Sequence, residues 1–139
     1  MPFPLVRLYT DGGSRGNPGP SAIGIVVCFA NDSTIVEYKE HIGDATSNEA
    51  EYRALITGLD MAAAHTRKEV LCTLDSQLVV RHMTGVYGLR QANMKTLFAE
   101  VKDKAQMFEK VGYRHQPRLT GQLKRADELV NEALDEAGF

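Results

Sequence analysis

The sequence contains few cysteines, little net charge and no long apolar run, and each absence narrows the possible protein classes. No stretch approaches the roughly 18 apolar residues of a membrane span. The start, MPFPLVRLYT, lacks the charged, apolar and small-residue segments of a signal peptide. We therefore expect a cytoplasmic protein that is not bound to a membrane. The formal net charge of -2 provides no general attraction to nucleic acid, so a polyanionic partner would require local basic groups or bound metal ions.

The two cysteines, Cys28 and Cys72, both lie in apolar, strand-like runs, and their separation favours no metal knuckle. We expect both to be reduced and buried, as thiols in such runs pack like small apolar side chains. The 139 residues suit one domain spanning 1–139, and we expect a monomer. With 43% apolar and 24% charged residues and no repeat or low-complexity tract, the composition is typical of a folded globular protein.

Hydrophobic patterning predicts nine secondary-structure elements in the order βββαβααβα. The first three strands have short connections, which favours an antiparallel meander. The following alternation of helix and strand predicts a mixed sheet with helices packed on it, and therefore an α/β fold. The predicted elements are strands 4–10, 21–30, 33–41, 69–75 and 111–116, and helices 46–65, 76–83, 93–110 and 123–137.

Two acidic residues lie on the apolar faces of predicted helices. Glu51 precedes Leu55 and Leu59 by one and two helical turns, which places its side chain at the margin of the stripe that faces the core. Asp127 likewise shares a helical face with Leu123, four residues before it, and with Leu134, seven residues after it. Buried acids are rare unless they are paired or bound to something. For Asp127 the alternative is a favourable interaction with the helix dipole.

Two further acids, Asp11 and Asp75, each close an apolar strand, in VRLYTD and EVLCTLD. If these strands are neighbours and parallel, both carboxylates emerge at the sheet edge where open α/β sheets bind ligands. The alternatives are an ordinary turn residue for Asp11 and a helix N-cap for Asp75.

In a cluster of four carboxylates with no cation nearby in sequence, the negative charges would repel one another. Such clusters usually bind a hard divalent cation such as Mg²⁺ or Mn²⁺. On this interpretation Asp11 is a metal ligand. The glycine-rich segment DGGSRGNPGP that follows would be a loop that lets a substrate backbone come close.

Four blocks of the sequence together resemble the type 1 ribonuclease H family, in the same order and with suitable spacing. The resemblance covers essentially the whole chain. It implies a five-stranded mixed sheet, three antiparallel strands followed by two parallel ones, flanked by helices. It also implies hydrolysis of the RNA strand of RNA/DNA hybrids. The four blocks are YTDGGSRGNPGP, TSNEAEYRAL, LDSQLVV and RADELVNEAL.

Carried over position by position, the resemblance implies a two-metal mechanism with Mg²⁺ or Mn²⁺. Asp11 would bridge the two ions, Asp127 would complete the site that activates water, and Glu51 and Asp75 would hold the ion near the leaving group. The products would carry a 5'-phosphate and a 3'-hydroxyl. The alternative is a catalytically weak nucleic-acid-binding domain of the same fold within a larger assembly. Integrases and junction resolvases share the fold, but their sequences fit these blocks less well.

The resemblance also implies contacts with the hybrid substrate. Thr46 would help hold a phosphate of the DNA strand. For Asn17 and Asn48 the alternatives are turn and cap chemistry, and Arg15 would either contact a phosphate or remain a solvated loop residue. The residues at family positions that touch the minor groove, where 2'-hydroxyls are displayed, are Gly12, Gly13, Ser14, Arg15, Gly16, Asn17, Asn48 and Gln77.

Two departures from the family pattern stand out. Many relatives carry a basic, tryptophan-containing protrusion, whereas TGVYGLRQANMKTLF has only Arg90 and Lys95 as cations and the chain has no tryptophan. This implies weaker substrate binding than in protrusion-bearing relatives. The second departure is a loop about two residues longer before Asp127, in which either His115 or Arg118 would assist product release. His115 has the alternative of an ordinary strand residue, and we expect the other histidines to be surface or packing residues.

Overall fold

The computed structural model describes residues 3–85 and 92–139. Arg90, one of the two cations of the short connecting segment, lies outside these residues. Within them the chain forms five strands and four helices in the predicted order βββαβααβα. The strands are β1 (Leu5–Ser14), β2 (Gly19–Phe29), β3 (Thr34–Ala45), β4 (Glu69–Leu74) and β5 (Lys110–His115). The helices are α1 (Ser47–Ala62), α2 (Gln77–Met83), α3 (Ala92–Ala105) and α4 (Gly121–Glu136).

The five strands form one mixed sheet in the order β3-β2-β1-β4-β5. The pairs β1/β2 and β2/β3 are antiparallel, whereas β1/β4 and β4/β5 are parallel. The predicted fold, with three antiparallel strands followed by two parallel ones and flanking helices, is confirmed. Because β1 and β4 are parallel neighbours, Asp11 and Asp75 emerge toward the same edge.

Strand β1 is longer than the sequence pattern predicts. Its parallel ladder with β4 ends at the pair Tyr9 and Thr73, but its antiparallel ladder with β2 continues to Ser14 opposite Ser21. Asp11 therefore lies within β1, just past the last pair with β4. The prediction that Asp11 ends the strand is wrong, and so is its alternative as a turn residue. Pairing with β2 extends the strand through a segment whose glycines favour a loop.

The helices cover both faces of the sheet. Alternate residues of β1 point to opposite faces, so Leu8 joins the main core while Tyr9 joins a second cluster. The main core contains the apolar sides of α1, α2 and α3, including Leu55 and Val101. The second cluster lies under α4 and includes Leu123. The two helices that carry Glu51 and Asp127 thus pack against opposite faces of β1.

Two glycines allow these helices to approach the sheet closely. A Cβ atom at Gly12 would lie 2.2 Å from the carbonyl carbon of Ala50 in α1, and one at Gly24 would lie 2.2 Å from the oxygen of Ala126 in α4. The predicted loop is wrong for Gly12 and Gly13, which belong to β1. Because Gly12 has no side chain, α1 can pack directly against β1 at this position.

Both cysteines are buried and free, as predicted. Burial raises the pKa of the Cys28 thiol to about 11, so this thiol is protonated at neutral pH. His82 is also buried, with its Nδ1 atom 2.7 Å from the hydroxyl of Tyr52, so it is a packing residue as predicted. No helix within residues 3–85 and 92–139 is long and apolar enough to cross a membrane.

Candidate active site

Three carboxylates from three elements meet at the end of the parallel strands. Asp11 lies in β1, Glu51 in α1, and Asp75 directly after β4. One carboxylate oxygen from each lies within 4.8 Å of the other two. Asp11 and Glu51 are only 4% and 7% exposed. The structure therefore brings together three of the four acids that the sequence singled out.

The Glu51 carboxylate is fixed at one oxygen and unpaired at the other. Its Oε1 atom accepts a hydrogen bond from the Gly12 N–H at 3.1 Å, because α1 packs directly on this glycine. Its Oε2 atom is buried and has no hydrogen-bond partner among the described residues. A buried oxygen without a partner is costly and fits a site for a cation.

Burial raises the pKa of both Asp11 and Glu51, and the negative charge of Asp75 raises the pKa of each further. Without a cation, this pair of carboxyl groups therefore holds a proton at a higher pH than isolated acids would. A divalent cation would displace that proton and relieve the repulsion.

Asp127 borders the same cleft from α4, but its oxygens lie outside the group of three. Its side chain is 20% exposed. Helix-dipole effects are concentrated in the first turn of a helix, and Asp127 lies beyond the first turn of α4. The dipole alternative therefore does not explain its position. Its helical neighbours Leu123 and Leu134 are buried, as the apolar pattern predicts.

A cation does lie next to these acids in the folded chain. The Nε atom of Arg118 lies 2.9 Å from Oδ2 of Asp75 and 3.9 Å from Oδ1 of Asp127. Arg118 comes from the loop between β5 and α4, so its proximity to Asp75 depends on the fold. The N-cap alternative for Asp75 is wrong, because the hydroxyl of Ser76 caps α2 by accepting the Val79 N–H.

The acids open into a cleft of about 430 Å³. His115 is exposed at the end of β5, and the structure places it outside this lining together with Gly16, Asn17, Thr46 and Gln77. The lining consists of Asp11, Gly12, Gly13, Ser14, Arg15, Ser47, Asn48, Glu51, Asp75, Ser76, Arg118, Asp127, Val130, Asn131 and Leu134.

The predicted substrate residues near α1 have structural partners. Thr46 is the N-cap of α1 and forms a capping box with Glu49, so cap chemistry belongs to Thr46 and not to Asn48. Asn48 is exposed in the first turn. The Oδ1 atom of Asn17 accepts the Ser47 N–H at 3.1 Å, which connects the β1–β2 turn to this helix. Gln77 is exposed at the start of α2.

Sequence reasoning missed three polar residues that line the cleft, namely Ser47, Ser76 and Asn131. The position of Asn131, one helical turn after Asp127, is a signal that could have identified it. Arg15 was predicted either to contact a phosphate or to be solvated. In the structure it is exposed and forms an ion pair with Asp135 at 2.7 Å.

Comparisons with known proteins agree with this geometry. Residues 9–133 match the family profile described as reverse transcriptase-like. The chain is 41% identical over 133 residues to a bifunctional protein of Mycobacterium tuberculosis, covering 95% of the chain and 36% of that protein. It is 39% identical over 132 residues to ribonuclease HI of Halobacterium salinarum, covering 95% of the chain and 65% of that protein. The chain thus spans about a third and about two thirds of these relatives' lengths.

Solved structures extend the comparison to the whole fold. RNase H1 of Halobacterium salinarum superposes with a TM-score of 0.90 at 37% identity, covering 95% of this chain and 98% of that one. LC11-RNase H1 in complex with an RNA/DNA hybrid superposes with a TM-score of 0.89 at 39% identity, with the same coverage. On the sequence blocks, the sheet order and these similarities, the chain belongs to the type 1 ribonuclease H family.

Proposed function

We propose that the protein is a metal-dependent endoribonuclease that hydrolyses the RNA strand of RNA/DNA hybrids and leaves 5'-phosphate and 3'-hydroxyl ends. The observation that carries this proposal is the group of three carboxylates, Asp11, Glu51 and Asp75, with oxygens within 4.8 Å of one another in an open cleft. The similar LC11-RNase H1 was solved with an RNA/DNA hybrid bound, which supports this substrate class.

The donor set fits a hard divalent cation. All the candidate ligands are carboxylate oxygens, which Mg²⁺ and Mn²⁺ prefer, and Oε2 of Glu51 is a buried acceptor without a partner among the described residues. We propose that Asp11, Glu51, Asp75 and Asp127 hold two such ions when substrate is bound. Bound ions of this kind activate water and stabilise the charge on a phosphodiester.

The protein's own groups hold and orient this site. The Gly12 N–H fixes one oxygen of Glu51, and burial of Asp11 keeps its carboxylate in place on a central strand. Arg118 partly neutralises Asp75 and Asp127. Between the two candidates for product release we propose Arg118, because its guanidinium lines the cleft whereas His115 does not.

The substrate surface that we propose surrounds the cleft on the side of β1 and the N-terminus of α1. Gly13, Ser14 and Asn48 line the cleft itself and are available to the minor groove of a hybrid. Asn17, Thr46 and Gln77 lie outside the lining and would contact the hybrid beyond the reacting phosphate. A cytoplasmic location, a monomeric state and the weaker binding implied by the missing basic protrusion stay predictions.

One assay tests the function and its alternative. An end-labelled RNA/DNA hybrid is compared with duplex DNA, duplex RNA and single-stranded RNA, each with Mg²⁺, Mn²⁺ or EDTA. We expect internal cuts in the RNA strand of the hybrid alone, and only with metal. Binding of the hybrid without cleavage in either metal would favour the catalytically weak domain of a larger assembly. Equal cleavage of single-stranded RNA in EDTA would contradict both.

Asp11→Asn protein, purified in the same way, is the control against a contaminating nuclease. Any cleavage that persists at the wild-type level in this variant does not come from the proposed site.

A further inference from the structure

The guanidinium of Arg15 is bound to the end of α4. Its Nη1 atom lies 2.7 Å from Oδ1 of Asp135 and also donates to the main-chain oxygen of Phe139. Its Nη2 atom donates to Oδ1 of Asn131 at 3.2 Å. The three acceptor residues are spaced by four along the chain, so they present one continuous stripe to Arg15.

The end of α4 has a defined geometry that suits this contact. Gly138 has a φ of +92°, and its N–H donates to the oxygen of Asp135 at 3.0 Å. The Phe139 N–H donates to the oxygen of Leu134 at 3.0 Å. These two bonds form a Schellman motif, which holds the Phe139 oxygen near Arg15. A cation at the negative end of a helix dipole is also favourable.

The contact continues along α4 to the acid in the cleft. The Nδ2 atom of Asn131 donates to the main-chain oxygen of Asp127 at 3.1 Å, while Oδ1 of the same amide accepts from Arg15. Arg15 follows Asp11 by four residues, and Asn131 follows Asp127 by four. Arg15 therefore connects the segment that carries one acid to the helix that carries another.

Near this point β1 contributes no side chain to its contact with α4. Gly13 has no side chain, and a Cβ there would lie 3.2 Å from Cγ1 of Val130. Other ion pairs join α4 to the edge strand β3, where Arg125 contacts Glu37 at 2.9 Å. On the cleft side, the described contact that holds α4 to the end of β1 through charge is that of Arg15.

We propose that Arg15 is a positioning residue that fixes α4, and with it Asp127, relative to Asp11. This inference rests on the proposed function for its effect on cleavage. It differs from a phosphate contact because its guanidinium donors are directed at three residues of α4 and its end. The Arg15 guanidinium is therefore already hydrogen-bonded to protein groups before substrate binds.

The test is a double-mutant cycle with Arg15→Gln, Asp135→Asn and the combined variant. Arg67→Gln, which removes an exposed arginine from the turn before β4, is the matched control. For each protein we would measure kcat and KM for the hybrid, the salt dependence of KM, and the rise in melting temperature caused by Mg²⁺ alone.

If Arg15 positions α4, each single variant should lower kcat about three- to tenfold, because small misplacements of a catalytic group slow the chemical step. Each should also reduce the stabilisation by Mg²⁺. The double variant should be no worse than Arg15→Gln, since both changes break one interaction. KM and its salt dependence should stay close to the wild-type values, and Arg67→Gln should match the wild type throughout.

Two results would overturn the proposal. If Arg15 binds a phosphate, Arg15→Gln should raise KM and make its salt dependence shallower by about one phosphate contact, while Asp135→Asn should lower KM. If Arg15 only stabilises the fold, melting temperatures should fall while kcat and the response to Mg²⁺ stay unchanged. If wild-type protein fails to cleave, the proposed function fails, and the non-additive response to Mg²⁺ still decides the positioning role.

Discussion

The guanidinium of Arg118 lies 2.9 Å from the carboxylate of Asp75, although the two residues are 43 positions apart in the chain. This contact gives the acidic cleft an internal cation, because Arg118 also lies 3.9 Å from Asp127. The other two acids, Asp11 and Glu51, are more deeply buried. The site therefore contains two acids that form ion pairs with Arg118 and two buried acids for which the described residues show no ion pair.

Replacing Asp11 by Asn should abolish cleavage and preserve the fold. The change is nearly isosteric and removes a buried charge that burial disfavours, so the melting temperature in EDTA should be unchanged or higher. Mg²⁺ should stabilise the wild type more than the variant, as ligand binding to the native state predicts. Thermal melts with EDTA and with Mg²⁺, beside one hybrid-cleavage assay, provide the measurement. A variant that melts several degrees lower in EDTA would contradict this account of the site.

The raised pKa values of Asp11 and Glu51 predict how stability in EDTA depends on pH. An acid whose folded pKa is raised stabilises the fold below its unfolded pKa of about 4, and this contribution is lost as pH rises through the folded pKa. Glu51→Gln mimics the protonated acid and can still accept the Gly12 N–H. Its free energy of unfolding, relative to wild type, should therefore increase as the pH rises above about 4.5.

Urea denaturation of both proteins across this range measures that difference, and subtraction removes the contributions of acids that the two proteins share. A difference that is constant with pH would mean that Glu51 titrates normally.

Replacing Arg118 by Gln should remove the cation from the cleft and increase repulsion between Asp75 and Asp127. Because Arg118 is 60% exposed, the loss of stability in EDTA should be below about 1 kcal/mol. Mg²⁺ should then stabilise the variant more than the wild type. If Arg118 assists product release, single-turnover cleavage should change less than multiple-turnover cleavage. Equal losses in both measurements would place its effect before product release.

Replacing Gly12 by Ala should destabilise the fold strongly, because the new Cβ would lie 2.2 Å from the main chain of Ala50. Main chain cannot move aside as a side chain can, so we expect a loss of about 4 kcal/mol or more. Gly13→Ala is the matched control, since its Cβ would meet only a side-chain atom of Val130, at 3.2 Å. Urea denaturation measures both. Similar stabilities for the two variants would contradict the close packing of α1 on Gly12.

The sequence alone determined the order of elements and the faces that carry the acids. Apolar periodicity reports local burial, and it placed Glu51 and Asp127 correctly on helices whose neighbours, such as Leu55 and Leu123, are buried. Runs of apolar residues likewise identified the strands that precede Asp75 and contain Asp11.

Only the tertiary structure decided the relations between distant segments. Pairing with β2 extends β1 through Gly12 and Gly13, whose local preference is for a loop. Helix docking places the main chain of α1 directly against Gly12, and loop closure places Arg118 beside Asp75. Arg15 likewise contacts partners that lie at least 116 positions away along the chain. Sequence periodicity carries no information about such contacts, because they depend on strand register and on how helices pack across the sheet.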